Sequence, residues 1–506
     1  MSYLDRTNTF VNALGAPEAY LVGGAVRDRI LGRRVKDADY VVRLPMDDLK
    51  RALRKTGADF GPLALRSGKI VGYRATKRGI GAVEIVLPRI ERKKPQRMDQ
   101  SLNDRQQFDI VVDPSVALAD DAVRRDFTIN AIYQNAATGE IIDPLGGRAD
   151  IEHKLLRTTH PESFADDPLR ILRALRFVSV LGFDLAPTTM MEMQRLSDAV
   201  TGLTGKGVSG TALDELQKIL MGRNVAKALR LARDSGVLAT LLPELGPMLN
   251  FEQGSSYHDM TTDEHTFTAL DWAARANLNL RTRMALLFHD AGKPHSAWKG
   301  RDGYLHFYEP SDETWEDVKE LLDNQSAALG WTPDGCVPLS RPKPQDHAVV
   351  SARLLRHALK RLNAEAKLIN QSATIVENHM LPLTMKVKPT KVRKWRCEFG
   401  DDLLADLFKH RLADCMGKAV VDYESISAIA RMEKIREDAV EAGVPSSPKD
   451  LKDMGLVNGH DLIEMGIEGQ KIGAVLNQLL HEVVSDPSRM DRDWLLGRAA
   501  KLGGVA

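Results

Sequence analysis

The stretch LVGGAVRDRILGRRVKDADYVV, residues 21–42, decides the fold. A short strand over Tyr20-Leu21-Val22 runs into Gly23-Gly24, and a helix over Ala25 to Leu31 starts at once. Glycines let a ligand approach the backbone closely, and the first turn of a helix favours an anion. Arg27 sits in that turn and can clamp a phosphate. A Gly-Gly pair alone is equally a tight strand-to-helix turn. The segment Asp37-Ala38-Asp39 changes the balance. Side chains alternate along a strand, so Asp37 and Asp39 are expected on one face. Two carboxylates there repel unless a cation sits between them. Hard oxygen ligands suit Mg²⁺, which works with substrate phosphates, and two such ions can clamp an in-line phosphoryl displacement.

Working outward, Tyr40-Val41-Val42 reads as a strand, Met46 to Lys55 as a helix, and Ile70 to Arg74 and Val83 to Leu87 as strands. These make an α/β domain over residues 1–150. It is closed by the turn Ile142-Asp143-Pro144 with Gly146-Gly147. From Ile151 helical periodicity dominates, giving an all-α neck over 151–225, a helical body over 226–445 and a small helical tail over 446–506. The body is marked by its histidines: nine of 13 lie between His258 and His410. Within it, Glu309 to Gln345 reads as an insertion, with Pro333, Pro338, Pro342 and Pro344 giving loop composition.

The bulk properties exclude several classes. The formal charge of the 506 residues is 70 − 69 = +1, so any nucleic-acid site is a local patch, not a global field. Three widely spaced cysteines, Cys336, Cys397 and Cys415, argue against a disulfide framework and for a reducing cytoplasm. No apolar run approaches the ~20 residues that span a bilayer, so a soluble cytoplasmic protein without a membrane partner is expected. Aromatic residues make up 6% of the chain, too few for a long stacking platform.

A second motif is DDPLRILRALRF, Asp166 to Phe177. Read as one helix, it makes Asp167 and Arg170 neighbours at spacing three. An acid accepts and an arginine donates in a rigid fork, so the pair can read the edge of a base. Arg173 and Arg176 continue the stripe. It drifts ~60° per step, so one end can face a base and the other a phosphate.

Together these motifs resemble the class II CCA-adding tRNA nucleotidyltransferases and bacterial poly(A) polymerases of the polymerase β superfamily. GGAVRD followed by KDAD resembles the family's first signature. Val83 to Arg89, continued by IERKK, resembles its next strand and basic segment; RRDFTINAIY, Arg124 to Tyr133, its second signature; and DDPLRILRALRF its third. The resemblance spans most of residues 20–180 in family order. It implies that Asp37 and Asp39 hold catalytic Mg²⁺. It implies too that Gly23, Gly24 and Arg27 contact the incoming CTP or ATP, with Lys36 beside the acids. Arg125, Asp126 and Asn130 match positions on the sugar and phosphate side of the nucleotide, and Asp167 and Arg170 match the protein template for the base. Glu84 is either a third carboxylate or a solvent-facing strand residue. The family's usual Glu-Asp opening of the third signature is here Asp166-Asp167.

In the body, ALLFHDAGKP is apolar up to His289-Asp290 and turns at Gly292. A buried charge at the end of an apolar helix needs a partner, and a divalent metal supplies one. Imidazole and carboxylate suit Mn, Fe, Ni, Zn or Mg alike. The pattern resembles the HD phosphohydrolase superfamily. By that resemblance His265, His289, Asp290 and Asp414 match the metal quartet, His347 and His379 are its extra histidines, and Lys293 completes the HDxGK context. The fold expected is therefore an α/β nucleotidyltransferase head, an all-α neck, an HD-type body and a small helical tail. The function expected is addition of CCA to tRNA 3′ ends from CTP and ATP, with an HD phosphodiesterase or phosphatase activity, as in HD-fused members that act on 2′,3′-cyclic phosphates and 2′-nucleotides.

Other readings stand beside it: a poly(A) polymerase, an A-only or CC-only enzyme, or an HD phosphohydrolase with a non-catalytic RNA-binding head. The basic run Arg89 to Arg97 either touches RNA phosphates or is a solvated loop. Gly469 to Ile472 is either a phosphate contact in an RNA-binding tail or a plain turn. Nothing in the sequence fixes the oligomeric state or the order of addition.

Overall fold

The structure, a computed structural model, describes residues 2–65, 68–93, 108–204, 210–254, 260–299, 304–312, 314–316, 345–382, 384–418 and 420–505. The insertion expected over 309–345, its prolines and Cys336 lie largely outside these residues, as do residues 94–97 of the basic run. The chain forms two compact units: Met1–Glu215 with Asp234–Leu241, and Leu216–Arg233 with Leu242–Ala506.

The first unit is built on a seven-stranded sheet in the order β3-β4-β5-β2-β1-β8-β9. The strands are β1 (Ala19–Val22), β2 (Ala38–Val42), β3 (Asp59–Ala64), β4 (Ile70–Lys77), β5 (Gly81–Val86), β8 (Tyr133–Asn135) and β9 (Ile141–Ile142). Within this sheet only the β2–β5 pair is parallel; every other neighbour is antiparallel. A parallel pair needs a crossover, and α3 (Met46–Lys55) with the β3–β4 hairpin supplies it. Hence the sheet is mixed. A separate two-stranded ribbon joins β6 (Arg89–Lys93) to β7 (Phe108–Val112). Tyr20, Val22, Val41, Leu118, Ala122, Ala131 and Tyr133 pack as one buried cluster at the centre.

The register sets a row across the sheet. Val22 lies opposite Asp39, Asp39 opposite Glu84, and Glu84 opposite Arg74. Facing residues on adjacent strands share a side, so two acids and one arginine stand next to each other. Gly72 is required where β4 meets β5: a Cβ there would lie 2.1 Å from the carbonyl oxygen of Ile85.

Apart from a short parallel pair, β10 (Leu155–Leu156) with β11 (Asp184–Leu185), the first unit continues beyond β9 in helices. They include α5 (Gly147–Glu152), α6 (Ser163–Asp166) and α7 (Leu169–Leu181), while α4 (Leu118–Val123) precedes β8. Among the described residues, the second unit is helical apart from the two-residue strands β12 (Trp298–Lys299) and β13 (Leu305–His306). Helix Thr262–Arg275 packs on Asp401–Met416, and Leu280–Phe288 packs on Ala366–Glu377. Arg283 is buried yet satisfied. Its guanidinium donates to the carbonyls of Leu278 (2.9 Å) and Leu220 (2.8 Å), closing orphan acceptors at helix ends. The tail has its own apolar cluster, with Leu451, Val457, Leu462, Leu479, Val483 and Leu495 at its heart. No helix among the described residues is long and apolar enough to cross a membrane.

Two candidate catalytic centres

The first centre lies where β1 ends. Gly23 has φ 73°, a left-handed conformation that favours glycine, and caps α2 (Gly24–Ile30). Arg27 folds back over this turn, its guanidinium 3.4 Å from where a Cβ of Gly24 would sit, and Arg125 approaches Gly23 to 3.9 Å on the same measure. Arg27 donates to Asn130 Oδ1 at 2.7 Å and to Asp28 at 2.8 and 2.9 Å. Asn130 donates to Asp126 Oδ1 at 3.0 Å, and Asp126 also accepts from Arg173 Nε at 2.9 Å. Residues from all three sequence signatures thus form one buried chain. Burial opposes charge on Asp126, but Arg173 and Asn130 outweigh it and hold its pKa at about 2.

Three arginines, Arg27, Arg173 and Arg176, place their guanidinium groups 4.3–5.8 Å from the centre of the Phe177 ring. Arg176 is also paired with Glu215 at 2.6 Å. Arg125 pairs with Asp121 at 3.0 Å and lies over Tyr133, whose hydroxyl donates to the same carboxylate at 2.7 Å. Asp121, with no solvent exposure, is a positioning residue that sequence reasoning missed. Its spacing of three and four from Arg124 and Arg125 on a helical turn was the available signal.

The strand carries Asp39 but starts at Ala38, so Asp37 precedes the ladder; strand alternation accounts for Asp39 alone. The Tyr3 phenol pKa is raised by burial, then by Asp37 and by Asp39, and its hydroxyl donates to Ala82 O at 3.3 Å. Tyr3 carried no motif that would have marked it. Asp39 keeps an open face to solvent but is otherwise flanked by protein. That desolvation, then Glu84, then Asp37 push its pKa up to about 6 against the pull of Arg125 and Arg74. Glu84 is therefore a neighbour of Asp39 and not an isolated surface residue. Lys36 is exposed beside them.

One expectation is corrected. Asp167 is not on the helix with Arg170. Its backbone is extended at φ −147°, ψ 98°, and α7 begins at Leu169. Pro168 is the reason: a residue before proline is pushed out of the α region. Asp167 instead accepts the Leu169 N–H at 3.0 Å. Arg170 turns inward, donating to Ser163 Oγ at 2.8 Å and Arg124 O at 2.6 Å.

The second centre is buried in the helical unit. His265 comes from helix Thr262–Arg275, His289-Asp290 from the end of Leu280–Phe288, and His347 from the start of His347–Arg361. His379 follows Ala366–Glu377, and Asp414 lies on Asp401–Met416. All six predicted residues meet, each at most 6% exposed. His265 Nε2 is 2.8 Å from Asp414 Oδ1, His289 Nε2 is 3.3 Å from Asp290 and 3.4 Å from Asp414, and His347 Nε2 is 3.5 Å from Asp290. Lys293 reaches Asp290 at 2.8 Å and Gln253 at 2.6 Å. Gly292 makes the turn possible, since a Cβ there would lie 2.3 Å from His347 O.

The donor set fits a divalent cation. Nδ1 of His289, His347 and His379 each lies 2.6–3.0 Å from a backbone carbonyl, which fixes a proton on Nδ1; Nε2 of His347 and His379 is left as a lone pair, while Nε2 of His289 faces Asp290 and Asp414. The lone pairs of His347 and His379 then face each other at 3.2 Å. Burial pushes both of these rings down, keeping them neutral. Burial also opposes charge on His289, but Asp290 and Asp414 overcome it and raise it to about 10, so positive charge is demanded between the two acids. Among the described residues, the triads whose ligand atoms lie within 4.8 Å of one another are His265-His289-Asp290 and Asp290-His347-His379. A seventh buried group, His410, packs its ring against His289 and His379 at 5.4 and 5.8 Å.

Comparison with known proteins bears on the first centre. Residues 19–157 match the family described as the poly A polymerase head domain, and residues 182–249 match that described as the probable RNA and SrmB-binding site of polymerase A. The Multifunctional CCA protein of Chromobacterium violaceum is 38% identical over 279 residues, 54% of this chain and 63% of that protein. That of Alkalilimnicola ehrlichii is 36% identical over 298 residues, 57% and 66% respectively. The chain thus spans less than two-thirds of the length of these curated relatives, 63% and 66% of them. The CCA-adding enzyme of Bacillus stearothermophilus, solved with CTP, superposes with a TM-score of 0.61 at 21% identity, covering 99% of this chain and 98% of that one. Residues 19–157 are thus similar to the poly A polymerase head domain, and the chain has the fold seen in the CCA-adding enzyme of Bacillus stearothermophilus.

Proposed function

We propose that this protein adds C, C and A to the 3′ end of tRNA without a nucleic-acid template, using CTP and ATP, and that its buried histidine–aspartate centre hydrolyses phosphate esters in the cytoplasm. The observation that carries the first part is the row Asp39–Glu84 beside the Gly23-Gly24 turn, with Arg27 and Arg125 folded over that turn. Asp37 and Asp39, with Glu84 adjacent, would hold Mg²⁺. When bound, the ion neutralises the acids and the triphosphate and favours in-line displacement at the α-phosphate.

The chain's own residues supply the rest. Gly23 and Gly24 leave room for the phosphates against the start of α2. Arg27, Arg125 and Lys36 offset their charge. The Asn130–Asp126–Arg173 chain fixes Arg27 in place. Asp167 and Arg170 read the base. Because Arg170 is turned toward Ser163 and Arg124, reading a base requires it to exchange those partners for the nucleotide.

In the second centre, His265, His289, Asp290 and Asp414, with His347 and His379, would hold a divalent metal; the set suits Mg, Mn, Ni, Fe or Zn. That metal would activate water toward a phosphate ester. Lys293 holds Asp290 in place, and Arg411 does the same for Asp414.

The test is a single assay. Purified protein is given tRNAs ending before CCA, after C and after CC, with CTP or ATP separately. CCA addition predicts C incorporation on the first two and A on the third. A homopolymer of A on all three would replace this reading with a poly(A) polymerase. Single-nucleotide use throughout would replace it with an A-only or CC-only enzyme.

A further inference from the structure

The cavity at the second centre has a wall that metal binding does not explain. Its volume is about 850 Å³, and Asp290, His347, His379 and Asp414 border it. Residues 304–308, which contain β13, run along it as well. Side chains alternate along an extended chain, so Tyr304, His306 and Tyr308 share one side. Phe307, on the other side, is tied into the protein: its ring centre lies 6.3 Å from that of Phe251 and 5.4 Å from Lys293 Nζ.

The aromatic side is held firmly yet left open. Trp298 stands opposite His306 across the β12–β13 hairpin, and their ring centres are 4.5 Å apart. Tyr308 packs against both rings, at 5.5 Å from Trp298 and 5.4 Å from His306. Trp298 is buried behind them, and its Nε1 donates to Tyr308 O at 2.9 Å. Tyr304 and Tyr308 nonetheless keep 46% and 51% of their surface exposed. Rings already held in place lose little freedom when a flat partner stacks on them. Three aromatic rings on one side suit a heteroaromatic ring better than an alkyl chain.

The wall is in register with the metal-site residues. Phe307 O accepts from the backbone N–H of His347 at 2.9 Å and from its Nδ1 at 3.0 Å. Tyr308 is the next residue, one strand step of ~3.3 Å along the chain. One segment therefore orients a metal-site histidine and carries the rings, and both border the same cavity. The cavity's groups that could read the edge of a base are already engaged. Asn378 Nδ2 donates to Thr374 O at 2.9 Å, Asp346 Oδ1 accepts from Glu309 N at 3.0 Å, and Glu377 pairs with Arg356 at 2.9 Å.

We propose that Tyr304, His306 and Tyr308 form a stacking subsite for the base of a nucleoside phosphate, recognising the face of the base and not its edge. The assignment rests on the phosphohydrolase reading above and names the residues that set its specificity.

The experiment compares hydrolysis of adenosine 2′-phosphate, uridine 2′-phosphate and glycerol 2-phosphate by the full chain supplied with Mn²⁺. Calorimetry with adenosine, which carries no phosphate, reads the subsite without hydrolysis; excess CTP keeps the first centre occupied. The wild type should favour both nucleoside phosphates over glycerol 2-phosphate in kcat/KM by about tenfold or more, and by similar factors. Tyr308→Ala should lower that ratio about tenfold, through KM, and weaken adenosine binding about as much, while Tyr308→Phe retains both. Both tyrosines are exposed, and a thermal melt verifies that the variants fold. A folded Tyr304→Ala/Tyr308→Ala variant with the wild-type ratio and adenosine affinity overturns the subsite alone. A preference of about 100-fold between adenine and uracil overturns recognition by the face, because stacking tolerates every base. If no ester is hydrolysed while adenosine binding still depends on Tyr308, the phosphohydrolase reading fails and the subsite stands.

Discussion

The two centres use the same acid, aspartate, in opposite surroundings. Asp39 sits at an open strand position beside Glu84, with solvent on one side and a glycine turn close by. Asp290 and Asp414 are 3% and 4% exposed, walled in by imidazoles, with Lys293 and Arg411 bonded to them. An open pair of carboxylates can admit a hydrated ion together with a triphosphate and release both each cycle. The imidazoles and carboxylates of the second centre would replace more of a cation's water, so a cation held there is expected to exchange more slowly, while the cavity of about 850 Å³ lined by Asp290, His347, His379 and Asp414 leaves it open to a phosphate ester. Burial, more than residue type, is expected to set how long each centre would keep a metal.

The largest expected break in this contrast comes from single ligands. Asp39→Ala should lower nucleotide addition by about 10²–10³-fold, the worth of one electrostatic partner of a transition state. Hydrolysis by the second centre should be untouched. His289→Ala should do the reverse, and metal analysis should find the ion gone from the helical unit. Addition that survives Asp39→Ala would end the catalytic reading of the first centre.

Metal removal sharpens the contrast next. Brief chelation followed by desalting should abolish addition, with immediate recovery on adding Mg²⁺. The phosphohydrolase should keep most of its activity and its bound metal through the same treatment. Equal loss from both centres would mean that burial does not set retention here.

A smaller effect is expected one step from the reacting groups. Arg173→Ala removes a charged hydrogen bond worth ~1.5–3 kcal/mol, so it should lower kcat/KM for CTP and ATP by about 10- to 100-fold. Arg173→Lys should recover part of it. A merely structural role would instead lower the melting temperature with kcat/KM intact.

The smallest effect is one of pH. The Asp39 carboxyl is raised from 3.8 to about 6 in the folded chain. A raised carboxyl binds its proton more tightly folded than unfolded, so between these values acid favours the folded head, and above about 6 the ionised group carries a penalty. Mg²⁺ competes with that proton. Its affinity, followed by titration calorimetry, should be flat above about pH 6 and fall as pH drops below it. Asp39→Asn should raise the melting temperature at about pH 8 without Mg²⁺, with the gain shrinking as pH falls below about 6 and vanishing only below 3.8.

Much of this was legible in the chain itself. The Gly23-Gly24 turn, the strand of Asp39 and the helix Met46–Lys55 follow from local periodicity and glycine's freedom. His289-Asp290 was marked by its context, because a charge at the end of an apolar helix must find a partner there, whereas His265, Asp414, His347 and His379 were identified by resemblance to the HD phosphohydrolases. Asp167 was legible too but misplaced, since Pro168 already forbids the helical conformation assumed for it. Other features were not readable from local pattern. The parallel register that sets Glu84 beside Asp39 depends on a crossover between β2 and β5. The Asp126–Arg173 pair joins residues 47 apart, and His265–Asp414 joins residues 149 apart. Periodicity names the face on which a residue stands; only packing decides which other face it meets, because contacts between distant segments depend on sheet register and helix placement.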